Sequence, residues 1–420
     1  MRCRTYRYRL HPTLRQTQAL TRQLRYQCEL YNAALEERKG AWNWEKRSVT
    51  YFDQCKTLTG LIDVRPEVLS SGVTLCRGTL KRLDGAFASF YRRVGTGENP
   101  GFPRFKWTRR WDSLEWQDRS GWTVKGAERR LRLLGIGEVK MNYHRPLTGV
   151  PKAITVKREG AKWWVNVRCV DVPASLLAPT GREVGVDLGV VNLVALSDGE
   201  LIEGSRFAAR SSERLANAQR RLAKKQRGSD RRSRQVQEVA RLHRKVRQQR
   251  MNAAHQLSRR LVNEFDLIVL EDLKITPMVA RPRVKPDPRN PSDFLANGAA
   301  KKAVLNRSIH DAGRGQLRSL LSYKAESAGR TVVVVNPRHT SLTCYQCGHV
   351  DQKNRVIQAV FRCCSCGHED HADSNAALNI LRAGRARLAS ASDGPNLPTT
   401  PSNLTRWACS VTTVSSLPAF

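Results

Sequence analysis

The chain has 420 residues, of which 73 are Lys or Arg and 37 are Asp or Glu, a formal charge of +36. At roughly 100 to 200 residues per domain, this length holds two to four domains, and a hydrophobic share of 40% argues against a wholly disordered basic protein. So large a positive surplus calls for a polyanionic partner, and no run of about 18 apolar residues marks a membrane span.

In chain order, the start lacks an apolar signal core. Tyr6, Tyr8 and Leu10 alternate with Thr5, Arg7 and Arg9, which reads as a strand rather than a transit peptide. Residues 18–93 are mostly helical, with Leu20, Leu24, Tyr31 and Leu35 at one helical spacing and Leu75, Leu80, Leu83, Phe87 and Phe90 at another. A turn-rich basic aromatic loop follows at 99–106, and alternating segments at 153–157 and 163–170, split by Glu159-Gly160, predict a β hairpin. The expected unit is a small β-barrel that the first strand joins, with the helical bundle inserted.

Pro173, Pro179 and Gly181 punctuate a domain boundary near residue 180. Two apolar strands follow, at 184–190 and 193–197. Residues 210–260 then carry 17 Lys or Arg against three acids, with Leu215, Leu222, Val239, Leu242, Val246, Leu257 and Leu261 spaced for a helical hairpin broken at 228–230. An ordered helix with a strongly positive outer face suits phosphate binding. A strand at 265–270, a Pro-rich mobile loop at 276–297, a helix at 316–328, a strand at 331–335 and a poorly ordered tail after 384 complete the expectation.

Of 11 cysteines, Cys344, Cys347, Cys363, Cys364 and Cys366 crowd one segment. Cys344-Tyr-Gln-Cys347 and Cys363-Cys-Ser-Cys366, 15 residues apart and each followed by Gly (Gly348, Gly367), have the spacing of a structural zinc site. Cys364 lies between ligands and should point elsewhere. A closed four-thiolate site has no open position for catalysis, so its ion should hold a fold or a docking surface. His349, His368 and His371 lie nearby and receive no assignment.

Three acids have an unusual setting: Asp187 in the strand Val184-Gly-Val-Asp-Leu-Gly, Glu271 ending Leu267-Ile-Val-Leu-Glu, and Asp373 ahead of Ser-Asn-Ala-Ala-Leu-Asn-Ile. A carboxylate ending a buried strand is costly unless paired or cation-bound, and three from distant segments could form a hard-oxygen Mg²⁺ site. Taken singly, each is more often a helix cap or a salt-bridge partner, because strand ends and helix starts favour Asp for local reasons. Asp272 and Asp370 compete as ligands, so spacing does not name the triad.

The ordered set Gly185-Val-Asp-Leu-Gly189, Leu270-Glu-Asp-Leu273, Ser308-Ile-His-Asp-Ala-Gly313 with Tyr323-Lys-Ala325, the two CxxC pairs and 373–380 resembles TnpB, the transposon-encoded RNA-guided DNA endonucleases ancestral to type V CRISPR effectors. The match covers most of residues 5–382. The resemblance implies an α+β multidomain chain: a small β-barrel wedge domain with an inserted helical bundle, then an RNase H-like (RuvC) α/β nuclease domain with an inserted zinc ribbon. Residues 1–15 and 96–180 would form the wedge and 16–95 the recognition bundle. Residues 181–337 and 369–384 would form the nuclease, including the basic hairpin 208–262, with the target-nucleic-acid-binding insertion at 338–368 and a poorly ordered tail at 385–420.

It also implies that Asp187, Glu271 and Asp373 are the catalytic acids and hold a two-ion Mg²⁺ site, and that Cys344, Cys347, Cys363 and Cys366 hold zinc. Partners would be a guide RNA and double- and single-stranded target DNA, with no membrane; one chain or two per RNA stays open, and the setting would be the prokaryotic cytoplasm at the nucleoid. Tyr31, Asn32, Arg104 and Lys106 resemble the guide-holding regions, Arg77 and Lys81 a DNA-facing helix. Arg220, Arg221, Lys224, Lys225, Arg244 and Lys245 would hold RNA and heteroduplex by charge. Arg314 departs from the aromatic residue relatives more often carry there. The rival readings are a compact type V CRISPR effector nuclease, a guide-dependent DNA-binding repressor that does not cut, and a zinc-ribbon RNA-binding protein without a guide.

Overall fold

The computed structural model describes residues 2–189, 192–204, 207–290 and 293–392, which divide into two compact units at Pro173–Ala174.

The first unit joins a sheet to a helical bundle. Its elements are β1 (Arg4–His11), α1 (Leu14–Glu45), α2 (Tyr51–Thr57), α3 (Leu61–Val64), α4 (Pro66–Leu69), α5 (Val73–Gly95), β2 (Ser113–Trp116), β3 (Trp122–Lys125), β4 (Arg130–Leu133), β5 (Gly137–Met141), β6 (Val150–Glu159) and β7 (Lys162–Val170). Thr13 starts α1 through a reciprocal capping box with Gln16, which satisfies two otherwise orphaned amide donors. Leu20, Leu24 and Leu35 of α1 and Leu75, Leu80 and Leu83 of α5 share one core with Val156, Val165 and Val167 of the sheet. Each such side chain contributes about 1.5–3 kcal/mol by leaving water.

The expected barrel is not closed. The seven strands run β2-β6-β7-β1-β5-β4-β3, an open ladder with β2 and β3 at its ends. The free edge of β2 is taken by α5, where Gly78 lies so near that a Cβ on it would sit 2.3 Å from the Glu115 carbonyl oxygen. β2 and the turn after it are likewise tied to the bundle, through the Trp116 indole donating to the Ser71 carbonyl and the Thr74–Ser120 hydroxyl pair. A helix therefore stands where a closing ladder would run.

The second unit contains β8 (Glu183–Asp187), β9 (Asn192–Leu196), β10 (Leu201–Glu203), α6 (Phe207–Ala223), α7 (Asp230–Glu264), β11 (Leu267–Glu271), α8 (Ile275–Met278), α9 (Ala299–Ala312), α10 (Arg314–Ala328), β12 (Thr331–Val335), β13 (Val360–Arg362), β14 (Glu369–His371) and α11 (Ala372–Ser392). Its mixed sheet runs β10-β9-β8-β11-β12, with β8, β11 and β12 parallel. Both faces are covered. Ile268 and Leu270 pack with Leu261 of α7 and with Leu317 and Leu321 of α10, while Leu267 and Val269 pack with Ile380 and Leu381 of α11. This double covering is why β11 reads as an unbroken apolar run rather than an alternating one.

α6 and α7 form the expected basic hairpin, turned at Gly228 (φ 88°) and capped by Ser229, with Arg232 donating to the Leu222 and Lys225 carbonyls. The tail expectation needs correction. α11 runs on through Ser392 because Gly384 is a contact residue rather than a stop: a Cβ there would sit 2.4 Å from Val269. The rest of the tail, from 393, lies outside the described residues. Among the described residues, no helix is long and apolar enough to cross a membrane.

Candidate active site

Gly185, Asp187 and Gly189 owe their spacing to close packing. A Cβ on Gly185 would lie 2.0 Å from the Ala377 carbonyl oxygen, so only glycine lets α11 cross β8 here. A Cβ on Gly189 would meet the Asn192 carbonyl oxygen at 2.3 Å, so this position too is restricted to glycine. Asp187, between them, ends β8. One residue beyond the last β8–β11 pair, Val186–Leu270, Asp187 and Glu271 leave the neighbouring parallel strands at one level. Asp373 joins them from the first turn of α11.

The three acids lie near enough to feel one another's charge. Burial, then the nearby Glu271 and Asp373, push the Asp187 carboxyl up to about 7, against the pull of Arg314 and Arg355. Burial also raises Glu271, which is 7% exposed, while the Thr340 hydroxyl, 2.5 Å away, and Arg314 counteract it. Asp373 accepts from Asn192 Nδ2 at 3.1 Å and from Arg355 at 3.4 Å. Like charges brought together in a desolvated cleft make each ionisation harder, and a cation among them reverses that cost. The carboxylate oxygens are the donor set that hard divalent ions take, so the residues fit Mg²⁺.

The competing acids are occupied elsewhere. Asp272 pairs with Arg318 at 2.6 Å, and Asp370 accepts from the His371 amide on β14. Sequence reasoning missed the residues that fix the triad: Thr340, Asn192 and Arg355, along with Asn375 and Asn379, buried on α11. Asn375 accepts from the Tyr345 amide and donates to the Thr343 carbonyl; Asn379 donates to the Thr340 and Thr343 carbonyls. Both asparagines belong to the 373–380 motif, which was the available signal. Arg314, flagged only as a departure, is 7% exposed, and its Nε has no hydrogen-bond partner.

The cysteine cluster assembles as its spacing requires. Cys344, Cys347, Cys363 and Cys366 bring their sulfurs together, with Cys344–Cys366 at 3.7 Å and Cys347–Cys363 at 3.6 Å. Gly348 and Gly367 take φ of 79° and 73°, which the two turns need. These four thiols could bind zinc.

The remaining basic positions divide. Arg77, Lys81, Arg104, Lys106, Arg220, Arg221, Lys224, Lys225 and Lys245 are exposed, and Arg244 is half-buried; Lys81 pairs with Asp84 at 2.9 Å. Tyr31, in contrast, is 1% exposed and packs on Trp111, so its ring is closed to a polyanion. Asn32 clamps the 99–106 loop from beneath, donating to the Lys106 carbonyl and accepting its amide. Both residues hold the loop in place, while Phe102, Phe105 and Trp107 stand exposed on it.

A family profile, OrfB_IS605, described as "Probable transposase", matches residues 167–281, and the profile of the Cas12f1-like TNB domain matches residues 315–380. A Streptomyces pristinaespiralis protein provisionally named an RNA-guided DNA endonuclease is 33% identical over 92% of this chain and 90% of its own. The Escherichia coli K12 protein provisionally named RNA-guided DNA endonuclease InsQ is 33% identical over 74% of each chain. A solved structure of the mini-RNA-guided endonuclease CRISPR-Cas_phi3 is similar over 91% of this chain and 92% of that one, at 11% identity and a TM-score of 0.42.

Proposed function

Because the chain belongs to the TnpB family of RNA-guided DNA endonucleases, we propose that its RNA-guided DNA cleavage is phosphodiester hydrolysis at a RuvC-type, RNase H-like centre built from Asp187, Glu271 and Asp373. The observation that carries this reading is the meeting of three carboxylates from β8, β11 and α11 beside Arg314 and Arg355. Two Mg²⁺ ions held by these acids would supply an activated water and neutralise charge on the scissile phosphate.

The chain's own groups do the positioning. Thr340 fixes one oxygen of Glu271, and Asn192 and Arg355 fix the two oxygens of Asp373, so the acids keep their orientation before nucleic acid arrives. Arg314 and Arg355 offset the clustered negative charge and present cations beside an incoming phosphate.

In this reading, residues 1–15 and 96–180 are the wedge and 16–95 the recognition bundle. Residues 181–337 and 369–384 are the nuclease, and the zinc-binding insertion lies at 338–368. Arg220, Arg221, Lys224, Lys225, Arg244 and Lys245 of the α6–α7 hairpin hold guide RNA and heteroduplex through their phosphates. Arg104 and Lys106, with the exposed aromatics of their loop, bind RNA by charge and stacking, and Arg77 and Lys81 face the target-adjacent DNA. The match of 315–380 to a Cas12f1-like domain favours one second reading, a compact type V CRISPR effector with the same chemistry.

The test is to co-express the protein with its flanking DNA, sequence the RNA it retains, and assay that complex on a randomised-flank target library with Mg²⁺ and with EDTA. A discrete RNA with motif-dependent, EDTA-sensitive cutting supports the proposal, and the RNA's genomic origin separates transposon from CRISPR. Binding without cutting would refute the assignment of the triad.

A further inference from the structure

The zinc segment carries a second group of metal-ligating side chains, formed by none of the four clustered cysteines. His349, Asp351 and Cys364 each place one ligand atom within 4.8 Å of the other two. Cys364 Sγ and His349 Nε2 are 3.4 Å apart. Around a tetrahedral Zn²⁺, bonds of about 2.3 Å to sulfur and 2.0 Å to nitrogen put those atoms roughly 3.5 Å apart. The neighbouring four-thiol set serves as an internal standard, since its 3.6 and 3.7 Å separations approach the roughly 3.8 Å that two thiolates on one zinc adopt.

The group is held in place by one residue. Asn354, fully buried, donates from its amide to the Leu342 and His349 carbonyls and accepts from the Cys364 amide at 3.0 Å. One side chain therefore fixes the backbone of two of the three ligands. The third, Asp351, has one oxygen fixed by the Lys353 amide, the bond by which it caps the short turn Gln352–Asn354. Knuckle symmetry does not account for the arrangement: where the second turn carries Cys364, the first carries Tyr345.

We propose that His349, Asp351 and Cys364 form a second, exchangeable site for a borderline-soft divalent cation, Zn²⁺ or its Co²⁺ surrogate. One thiolate, one carboxylate and one neutral imidazole balance the dication, and with His349 and Cys364 exposed and Asp351 half-buried, three protein ligands leave a fourth position for water. The ion would hold the start of the turn Gln352–Asn354 directly through Asp351 and its end indirectly, through the Cys364 amide whose hydrogen bond Asn354 accepts. The next residue is Arg355, whose guanidinium reaches Asp373, so occupancy steadies a contact to the carboxylate cluster. That consequence rests on the nuclease reading; the metal count does not, so the two fail separately.

The experiment uses the full chain, stripped by chelation, kept reduced and titrated with Co²⁺ under excess Mg²⁺, which occupies oxygen-ligand sites. Thiolate-to-cobalt absorption should saturate at two ions per chain, in two steps with distinct spectra. Cys364→Ser and His349→Ala should each bind one ion, with the first step's spectrum unchanged. Hydrogen exchange in residues 350–356 should slow only with the second ion. Saturation of the wild type at one ion would overturn the proposal. So would loss of the first step in Cys364→Ser, since Cys364 would then belong to the four-thiolate set. A second ion that leaves 350–356 unprotected would overturn the clamp.

Discussion

Replacing Asp187 by Asn should stabilise the metal-free protein, and by an amount that depends on pH. The side chain keeps its size and loses its charge. The Asp187 carboxyl is pushed up from 3.8 to about 7 by burial, Glu271 and Asp373. At about 1.4 kcal/mol for each pH unit, keeping it ionised in the folded state costs at most about 4 kcal/mol. Because the charge is shared with two other acids and offset by Arg314 and Arg355, about half of that is expected in a measurement, about 2 kcal/mol. A raised carboxyl favours folding while protonated. The wild type is therefore least penalised below pH 3.8, loses stability as pH rises, and bears the whole cost above about 7.

Chemical denaturation of chelator-treated protein should show Asp187→Asn more stable than wild type by about 2 kcal/mol near pH 8 and by about 1 kcal/mol near pH 5. Mg²⁺ near pH 8 should then stabilise the wild type and leave the variant nearly unchanged, because the lost carboxylate is a ligand. A gain that does not vary with pH, or equal stabilisation of both proteins by Mg²⁺, would refute both the crowding of the three carboxylates and their role as a cation site.

Other consequences follow from specific contacts. Gly185→Ala places a methyl 2.0 Å from the Ala377 carbonyl and should destabilise the second unit by about 3 kcal/mol through displacement of α11, read as a lower denaturation midpoint and lost cleavage. Cys347→Ser should lower the zinc bound by the four-thiol cluster, seen by elemental analysis as one ion fewer per chain, together with lower thermal stability. Changing Arg220, Arg221, Lys224 and Lys225 together to Gln should weaken guide-RNA binding and flatten its dependence on salt by up to about 3 units of logarithmic slope; an unchanged slope would mean these side chains meet no phosphate. Arg355→Ala should leave guide binding intact and slow cleavage by about tenfold, since it frees one oxygen of Asp373 while leaving all three acids in place.

The parts legible in the sequence were those whose cause is local. Asp187 and Glu271 stood out because each interrupts or ends an apolar strand, and the apolar run is itself a local record of a sheet covered by α7 and α10 on one side and α11 on the other. The cysteine pairs announced themselves because four thiols able to share one ion need a restricted spacing, and the two knuckle turns take positive φ at Gly348 and Gly367. The basic hairpin was legible for the same reason, its apolar period surviving inside a run of charge.

What the sequence hid depends on elements far apart along the chain. Whether seven strands close into a barrel depends on what occupies the outer edge of β2, and the occupant, α5, carries its licence in Gly78, a residue that reads locally as a blemish in a helix. Gly384 looks like a helix stop for the same reason and is instead the point where α11 presses on Val269. Tyr31 and Asn32 sit beside the loop they resemble ligands for, yet helical periodicity cannot say that the tyrosine faces Trp111 and the asparagine holds the Lys106 backbone.

The same logic explains why the cysteine segment lies just before Asp373 in the chain. Asn375 and Asn379 spend their amides on carbonyls at Thr340 and Thr343, and Thr340 in turn donates to Glu271, so one turn of α11 docks the first cysteine knuckle and orients a carboxylate of β11 together. From the other side of the segment, Arg355 reaches Asp373. Two of the three acids are thus held by residues that the cysteine segment positions. Loss of the four-thiolate ion should therefore disturb Glu271 and Asp373 before it disturbs Asp187, whose place is set by the pairing of β8 with β9 and β11. In Cys347→Ser the carboxylate site should bind Mg²⁺ more weakly even where the sheet remains folded. Mg²⁺ affinity equal to wild type in that variant, measured by calorimetry, would show that the knuckles and the acids are neighbours without being coupled.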